Sequence, residues 1–252
     1  MKKLLALGAI AVAAPLFAAV ESPNIVGYQT SDLTSSVGSL ITSGVMFQNT
    51  TGSSIDIQSI QMGASVYADA GSYIMWWEGH WEKAYWVELQ DVDGTPKGWG
   101  DDENWETINK TFELGEAFFV FGSSDNAAPS ITVSGQVYNP GTQYAGVSLA
   151  PGSLEFVSPV FPLGEISIQS IKMADAVYAD AGSYIMWWEG HWEKAYWVEL
   201  QDVDGTPKGW GDDENWETIN KTLGSGEGFF AFGSSDNAAP EILFPNPLYV
   251  AE

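Results

Sequence analysis

Residues 66–111 recur letter for letter as residues 177–222, an identical tract of 46 residues displaced by 111 positions. Whatever this chain folds into must accommodate that tract twice, and a fixed-period repeat is recognised before any single element is assigned. All 12 tryptophans lie inside the two copies, six in each. The offset continues in weaker form on both sides. Residues 55–60 match 166–171, residues 115–129 match 226–240, and Ile131, Val133 and Tyr138 correspond to Ile242, Phe244 and Tyr249. Upstream of Ile55 the copies have little in common.

The local pattern is that of strands. Residues 55–60 (IDIQSI) alternate apolar and polar, as a half-buried strand does. Residues 73–77 and 81–89 flank Glu78, Gly79 and His80 and read as an aromatic hairpin. In its second arm Trp81, Tyr85, Val87 and Leu89 share one face, and Glu82, Ala84, Trp86 and Glu88 the other. Residues 117–121 (AFFVF) are apolar on both faces and predict a central strand. Residues 91–99, with Gly94, Pro96 and Gly98, predict a loop. No segment carries a sustained helical period. Short strands between frequent turn signals indicate an all-β fold, two tandem β-sandwich-like repeat domains related by the 111-residue duplication. The turn cluster ending at Pro129 marks the boundary, giving repeat domains over 20–129 and 130–252. Residues 242–249 then read as a surplus C-terminal strand, free to close the second domain as an edge or to add to the sheet of another subunit.

The first 19 residues combine Lys2 and Lys3, an apolar run and a small-residue Ala18-Ala19 site, the pattern of a secretory signal peptide rather than a membrane span. No later segment is long and apolar enough to cross a bilayer as a helix. The chain has no cysteine, which excludes disulfides and a lipidated cysteine anchor. Its 33 acidic residues face nine lysines, for a net charge of −24. Such a surface repels phosphate backbones, so nucleic acid is not an expected partner, and divalent cations and neutral polymers remain open.

Two regions carry candidate chemistry. A tryptophan ring offers a flat apolar plate for the C–H face of a sugar, and neighbouring carboxylates accept hydroxyl hydrogens. Trp76 and Trp86 with Glu82 and Glu88, and their copies Trp187, Trp197, Glu193 and Glu199, have that composition, although core packing is the ready alternative role for tryptophan. The acidic loop carrying Asp91, Asp93, Asp101 and Asp102, repeated as Asp202, Asp204, Asp212 and Asp213, supplies closely spaced oxygen ligands of the kind Ca²⁺ takes. It departs from a calcium loop of EF-hand type: Gly94 comes early, Pro96 replaces the required glycine and no glutamate closes it. No catalytic signature is present. Glu78, Glu82 and Glu88 contain the carboxylates a glycosidase would need, without spacing that singles out a pair.

Residues 24–29 (NIVGYQ), 91–94 (DVDG), 98–99 (GW) and 115–120 (GEAFFV) resemble a pattern in secreted β-rich repeat proteins of planctomycete- and verrucomicrobial-type bacteria, where a "GY" start leads to a "GEAFF" strand near the end of each unit. The resemblance implies secretion and a β fold, and no catalytic residue. The leading expectation is an exported, non-catalytic structural protein of the cell envelope or extracellular matrix that assembles with itself. The alternatives are a bivalent carbohydrate-binding protein, with one tryptophan platform per repeat, and a glycoside-active enzyme.

Overall fold

The structure, a computed structural model, describes residues 26–32, 39–42, 47–48, 54–123, 125–126, 130–137, 141–159, 165–224, 227–247 and 249. The signal-like segment 1–19 and Pro129 lie outside the described residues. The protein is all-β, its strands pairing antiparallel and its few helical residues confined to 3₁₀ turns. In the first half these strands are β1 (Val26–Asp32), β2 (Ser39–Thr42), β3 (Phe47–Gln48), β4 (Ile55–Asp56), β5 (Gln61–Met62), β6 (Tyr73–Trp77), β7 (Trp81–Glu88), β8 (Lys97–Gly100), β9 (Thr111–Phe112), β10 (Ala117–Phe121) and β11 (Ser130–Val137). The second half contains β12 (Tyr144–Ser148), β13 (Leu154–Val157), β14 (Ile166–Ser167), β15 (Lys172–Met173), β16 (Asp180–Trp188), β17 (Trp192–Glu199), β18 (Lys208–Gly211), β19 (Thr222–Leu223), β20 (Phe229–Phe232) and β21 (Glu241–Pro245).

Each half builds a long sheet, ordered β2-β10-β6-β7-β8 in the first and β13-β20-β16-β17-β18 in the second. A shorter sheet accompanies each: β1-β11-β3 with β5 also on β11, and β12-β21-β15. The hairpin forms as its sequence indicates, with Trp77 opposite Trp81 and Gly79 at φ +80° in the connection. The residues 117–121 strand is central, between β2 and β6.

Strand β11 corrects the expected boundary at Pro129. Instead of opening the second repeat, it pairs along its length with β1, from Val26 opposite Gln136 to Asp32 opposite Ser130. Its counterpart β21 lies between β12 and β15, so the segment expected to be surplus is the middle strand of its own sheet. The same registers reveal a hidden equivalence upstream of Ile55. Tyr28 takes the place of Tyr144, and Leu40 that of Phe156, both 116 positions on rather than 111. The halves thus correspond from their first strands, offset by a five-residue difference in length that breaks any simple alignment.

One core lies between the two sheets of each half. In the first it gathers Ile74, Trp76, Trp86, Phe118 and Val120 of the long sheet with Met62, Ile131 and Val133 of the short one. Fully buried Trp99 donates its indole N–H to the Ile60 carbonyl at 2.8 Å, and Trp210 does the same to Ile171. The expected strand over 55–60 is broken in the middle. Asp56 accepts the Gln58 backbone N–H at 2.7 Å and turns residues Ile57–Ser59 into a 3₁₀ turn. Ser167 does this in the second copy. The three isoleucines of the segment, Ile55, Ile57 and Ile60, are all buried, the step from 57 to 60 spanning the turn.

That turn aims the Gln58 side chain at the edge of the long sheet. Its amide donates to the carbonyls of Trp99 (2.6 Å) and Ile108 (2.8 Å) and accepts the Trp99 N–H at 3.0 Å, and Gln169 repeats the clamp. A side chain at position 98 would meet Leu89 at 2.7 Å and the Gln58 oxygen at 2.8 Å, so Gly98 leaves room for the clamp. Replacing Gln58 by alanine takes this partner from the Trp99 N–H and the Ile108 carbonyl, while the Trp99 carbonyl keeps the Ile108 N–H at 3.0 Å, and the expected loss is about 2–3 kcal/mol on the scale of buried unsatisfied hydrogen-bonding groups. Urea unfolding of Gln58→Ala measures it; a change below about 0.5 kcal/mol, the level of an ordinary surface substitution, would show that the clamp is dispensable.

Candidate functional site

Strand alternation decides which tryptophans are available. On β6, Ile74 and Trp76 point into the core while Tyr73, Met75 and Trp77 point out; on β7, Ala84 and Trp86 point in and Trp81, Lys83 and Tyr85 point out. The expected sugar platform is thereby corrected. Trp76, Trp86, Trp187 and Trp197 are core residues, 3–4% exposed, with Trp86 tilted against Trp99 at 5.1 Å. Glu82, Glu88, Glu193 and Glu199 remain at the margins of that face, and Glu82 and Glu193 pair with His80 and His191 at the hairpin tips. Strand parity separates Trp86 from Trp81 as expected from the alternation, but both faces of the long sheet are apolar and the core takes the Trp76 and Trp86 face.

The outer faces of the two long sheets meet in an aromatic seam. Phe119 stacks on Phe156 at 4.8 Å with planes 14° apart, and Phe156 lies 4.8 Å from Phe230. Trp81 packs edge-on against Phe119, Phe156 and Phe230 at 5.5–6.2 Å. Trp77 meets Phe230 edge-on at 5.9 Å and donates its indole N–H to the Leu154 carbonyl at 3.0 Å. Backbone contacts fasten the edge: Ser158 donates to the Gly115 carbonyl at 2.8 Å, and Glu116 bridges to Val157.

The two copies of the hairpin therefore have different surroundings. Trp77 is half-buried against the second half, whereas its counterpart Trp188 is 58% exposed, in a T-shaped pair with the 45%-exposed Trp192. This corner opens on a pocket of about 220 Å³, whose walls include Phe119, Phe156 and Glu227. On the other side of Phe156 lies a groove of about 480 Å³, bounded by Trp77, Leu154, Glu78, Glu113, Glu116 and Glu155. Nothing in an identical tract could signal this difference. It comes from Phe156 and Leu154, outside the tract.

Lysines brace the rims. Lys110 pairs with Glu78 and Glu116, both at 2.8 Å, and Lys221 with Glu189 at 2.6 Å and Glu227 at 3.4 Å. Burial pulls the Lys110 ammonium down, but hydrogen bonds to Glu116 and Glu78 more than offset it and hold its pKa above the ordinary lysine value. The hydrogen bond from Lys110 in turn keeps Glu78 below the usual glutamate range.

The acidic loops spend their carboxylates on the backbone. Asp101 accepts four main-chain N–H groups, from Glu103, Asn104, Trp105 and Glu106, at 2.6–3.2 Å. This ring of donors is the surroundings of a bound anion, the reverse of what a cation needs. Asp91 is likewise taken up by Thr107, through its N–H at 2.9 Å and its hydroxyl at 2.8 Å. Asp202 and Asp212 repeat both arrangements, while Asp93, Asp102, Asp204 and Asp213 stay exposed. Among the described residues, no group of three His, Asp or Glu side chains gathers where Ca²⁺ could be held. The Asp101 cap also holds Trp105 at φ +59°, left-handed backbone that a non-glycine residue adopts only when its surroundings compel it.

Comparison of the chain with known protein families, with curated proteins and with solved structures found no match. Among the described residues no helix is long and apolar enough to cross a membrane.

The Asn104 amide above all, joined by those of Glu103, Glu106 and Trp105, holds the Asp101 carboxyl below its ordinary value of 3.8 against the upward pull of desolvation. A depressed carboxylate stabilises the fold above that ordinary value, and the contribution is lost as the pH falls through the lower, folded-state value. Asp101→Ala combined with Asp212→Ala is expected to be less stable than wild type at neutral pH and to lose less on acidification. Urea midpoints at pH 7 and at about pH 3 compare the two; equal acid sensitivity would contradict this role.

Proposed function

We propose that this is an exported, non-catalytic glycan-binding protein of the cell envelope or extracellular matrix, whose contact surface is the Trp188–Trp192 corner. The observation that carries this reading is the exposure of two large aromatic rings, set nearly perpendicular at 72°, at the mouth of a pocket. Large exposed aromatic surface is costly for a soluble protein unless something covers it. Pockets for drug-sized ligands run to about 300–1,000 Å³, so a smaller one suits a single ring of a longer molecule. One indole supplies a plate for the C–H face of a pyranose, the second an edge, and Glu227 an acceptor for hydroxyl hydrogens.

Self-assembly through a surplus strand has lost its motive, since β21 is engaged inside its own sheet. Bivalence also needs revision. The first repeat's counterpart, Trp77, is occupied by the Leu154 carbonyl and Phe230, leaving one such corner among the described residues. The signal-like segment at residues 1–19 supports export.

Trp188→Ala is expected to weaken binding on a glycan array at least about tenfold, in line with loss of an aromatic anchor, while the circular dichroism of the fold is unchanged. Trp81→Ala, at the seam, tests fold rather than binding and serves as the control for stability. Undiminished glycan binding by Trp188→Ala/Trp192→Ala would overturn the reading.

A further inference from the structure

We propose that the sugar seated at the Trp188–Trp192 corner carries a quaternary ammonium substituent, and that this group enters the pocket behind the two indoles; this rests on the glycan-binding reading above. The pocket, of about 220 Å³, is lined by the rings of Phe119, Phe156, Trp187, Trp188, Trp192 and Phe229, together with Glu227 and Gly228. Aromatic walls with one carboxylate form a box for a methyl-covered cation, which ring faces attract through their quadrupole. The inner wall offers little to a sugar hydroxyl. Phe156 and Phe229 are 4% and 1% exposed, and a hydroxyl pressed against them gives up water for no partner.

The charge of the site has the matching sign. Glu227 accepts the Gly224 N–H at 2.7 Å through Oε2, and its Oε1 lies 3.4 Å from the Lys221 ammonium, which Glu189 holds closer, at 2.6 Å. One lysine between two glutamates leaves the group net negative. A quaternary ammonium has no N–H, so it uses this charge and the ring faces without competing for the lone pairs those bonds occupy. The residues lining the pocket include no lysine, and Lys194 lies instead over Tyr184, 4.7 Å from the ring centroid.

The two copies also differ at the pocket wall. Gly228 stands where the first half has Ala117, which is buried in the seam with Phe156 and Phe230. The second half thus leaves open the room that a methyl takes in the first. A net charge of −24 repels anionic lipid surfaces, which favours a polysaccharide over a bilayer as the carrier of the cation.

Tryptophan-fluorescence titration of the intact protein compares choline, 3,3-dimethylbutan-1-ol and ethanolamine, an oligosaccharide with and without a choline substituent, and phosphatidylcholine vesicles. Choline is expected to bind about tenfold or more tighter than the alcohol, which has its shape without its charge, and than ethanolamine, which has the charge without the methyls. The substituted oligosaccharide is expected to exceed its parent by a similar factor. Gly228→Ala, which restores the alanine of the first half at a position without positive φ, is expected to abolish the preference for choline with circular dichroism unchanged, and Glu227→Gln to reduce it. Choline bound no tighter than the alcohol, or a preference undiminished in Gly228→Ala or in Glu227→Gln, would overturn the ammonium proposal; unsubstituted oligosaccharides whose binding is lost in Trp188→Ala would then still support the corner reading. Vesicles bound as tightly as the substituted oligosaccharide would overturn a glycan as the carrier. Failure of choline and of every saccharide would overturn both readings.

Discussion

A sheet that is apolar on both faces has to be covered on both, and the long sheets of this protein are of that kind. Their inner faces close on the short sheets around Trp76, Phe118, Trp99 and their copies. Their outer faces, carrying Trp77, Trp81 and Phe119 in one half and Phe230 and Phe156 in the other, close on each other. Each buried aromatic side chain removes about 150–250 Å² from water, so the seam is a second core. Its existence fixes how the halves sit and which tryptophans remain in solvent.

Electrostatics follows from scarcity of cations. With nine lysines against 33 acidic residues, each half uses one lysine, Lys110 or Lys221, to brace a glutamate of the hairpin connection against one just before the central strand β10 or β20. Other carboxylates are satisfied by main-chain N–H groups instead. Asp101 and Asp212 bind four each and Asp91 and Asp202 tie the loop to Thr107 and Thr218. Such local caps need no cation and no disulfide, which suits a chain with few of the first and none of the second.

Periodicity and duplication made the all-β class legible in the sequence, together with the hairpin and the central position of the residues 117–121 strand. What stayed hidden had physical reasons. Parity along β7 separates Trp86 from Trp81 but cannot say which face is the core when both are apolar; the seam that Trp81 borders is built by residues distant in sequence. Gln58 looked like the polar member of an alternating strand, and only the 3₁₀ turn made by Asp56 converts it into a clamp. The acidic loop matched calcium ligands in composition, yet its carboxylates point at N–H donors, which composition does not record. The early strands of the two halves share backbone register rather than identity, so Tyr28 and Tyr144 correspond while the sequences around them diverge.

An identical tract placed twice in one chain is often read as two identical sites. Here the folded chain breaks that symmetry, because one copy of the outer face must meet the other half of the molecule before it can meet a ligand. Trp77 and Trp188 are the same residue on the same strand of the same hairpin, and one donates its indole N–H to Leu154 while the other stands 58% exposed. The difference lies in β13, whose Leu154 and Phe156 have no sequence match at the 111-residue offset. Duplication thus supplied two aromatic faces that meet in the seam, and only the Trp188–Trp192 corner of the second is left in solvent. Selection on the outward role would act on Trp188 more strongly than on its counterpart Trp77, because Trp188 is 58% exposed and Trp77 is half-buried in the seam.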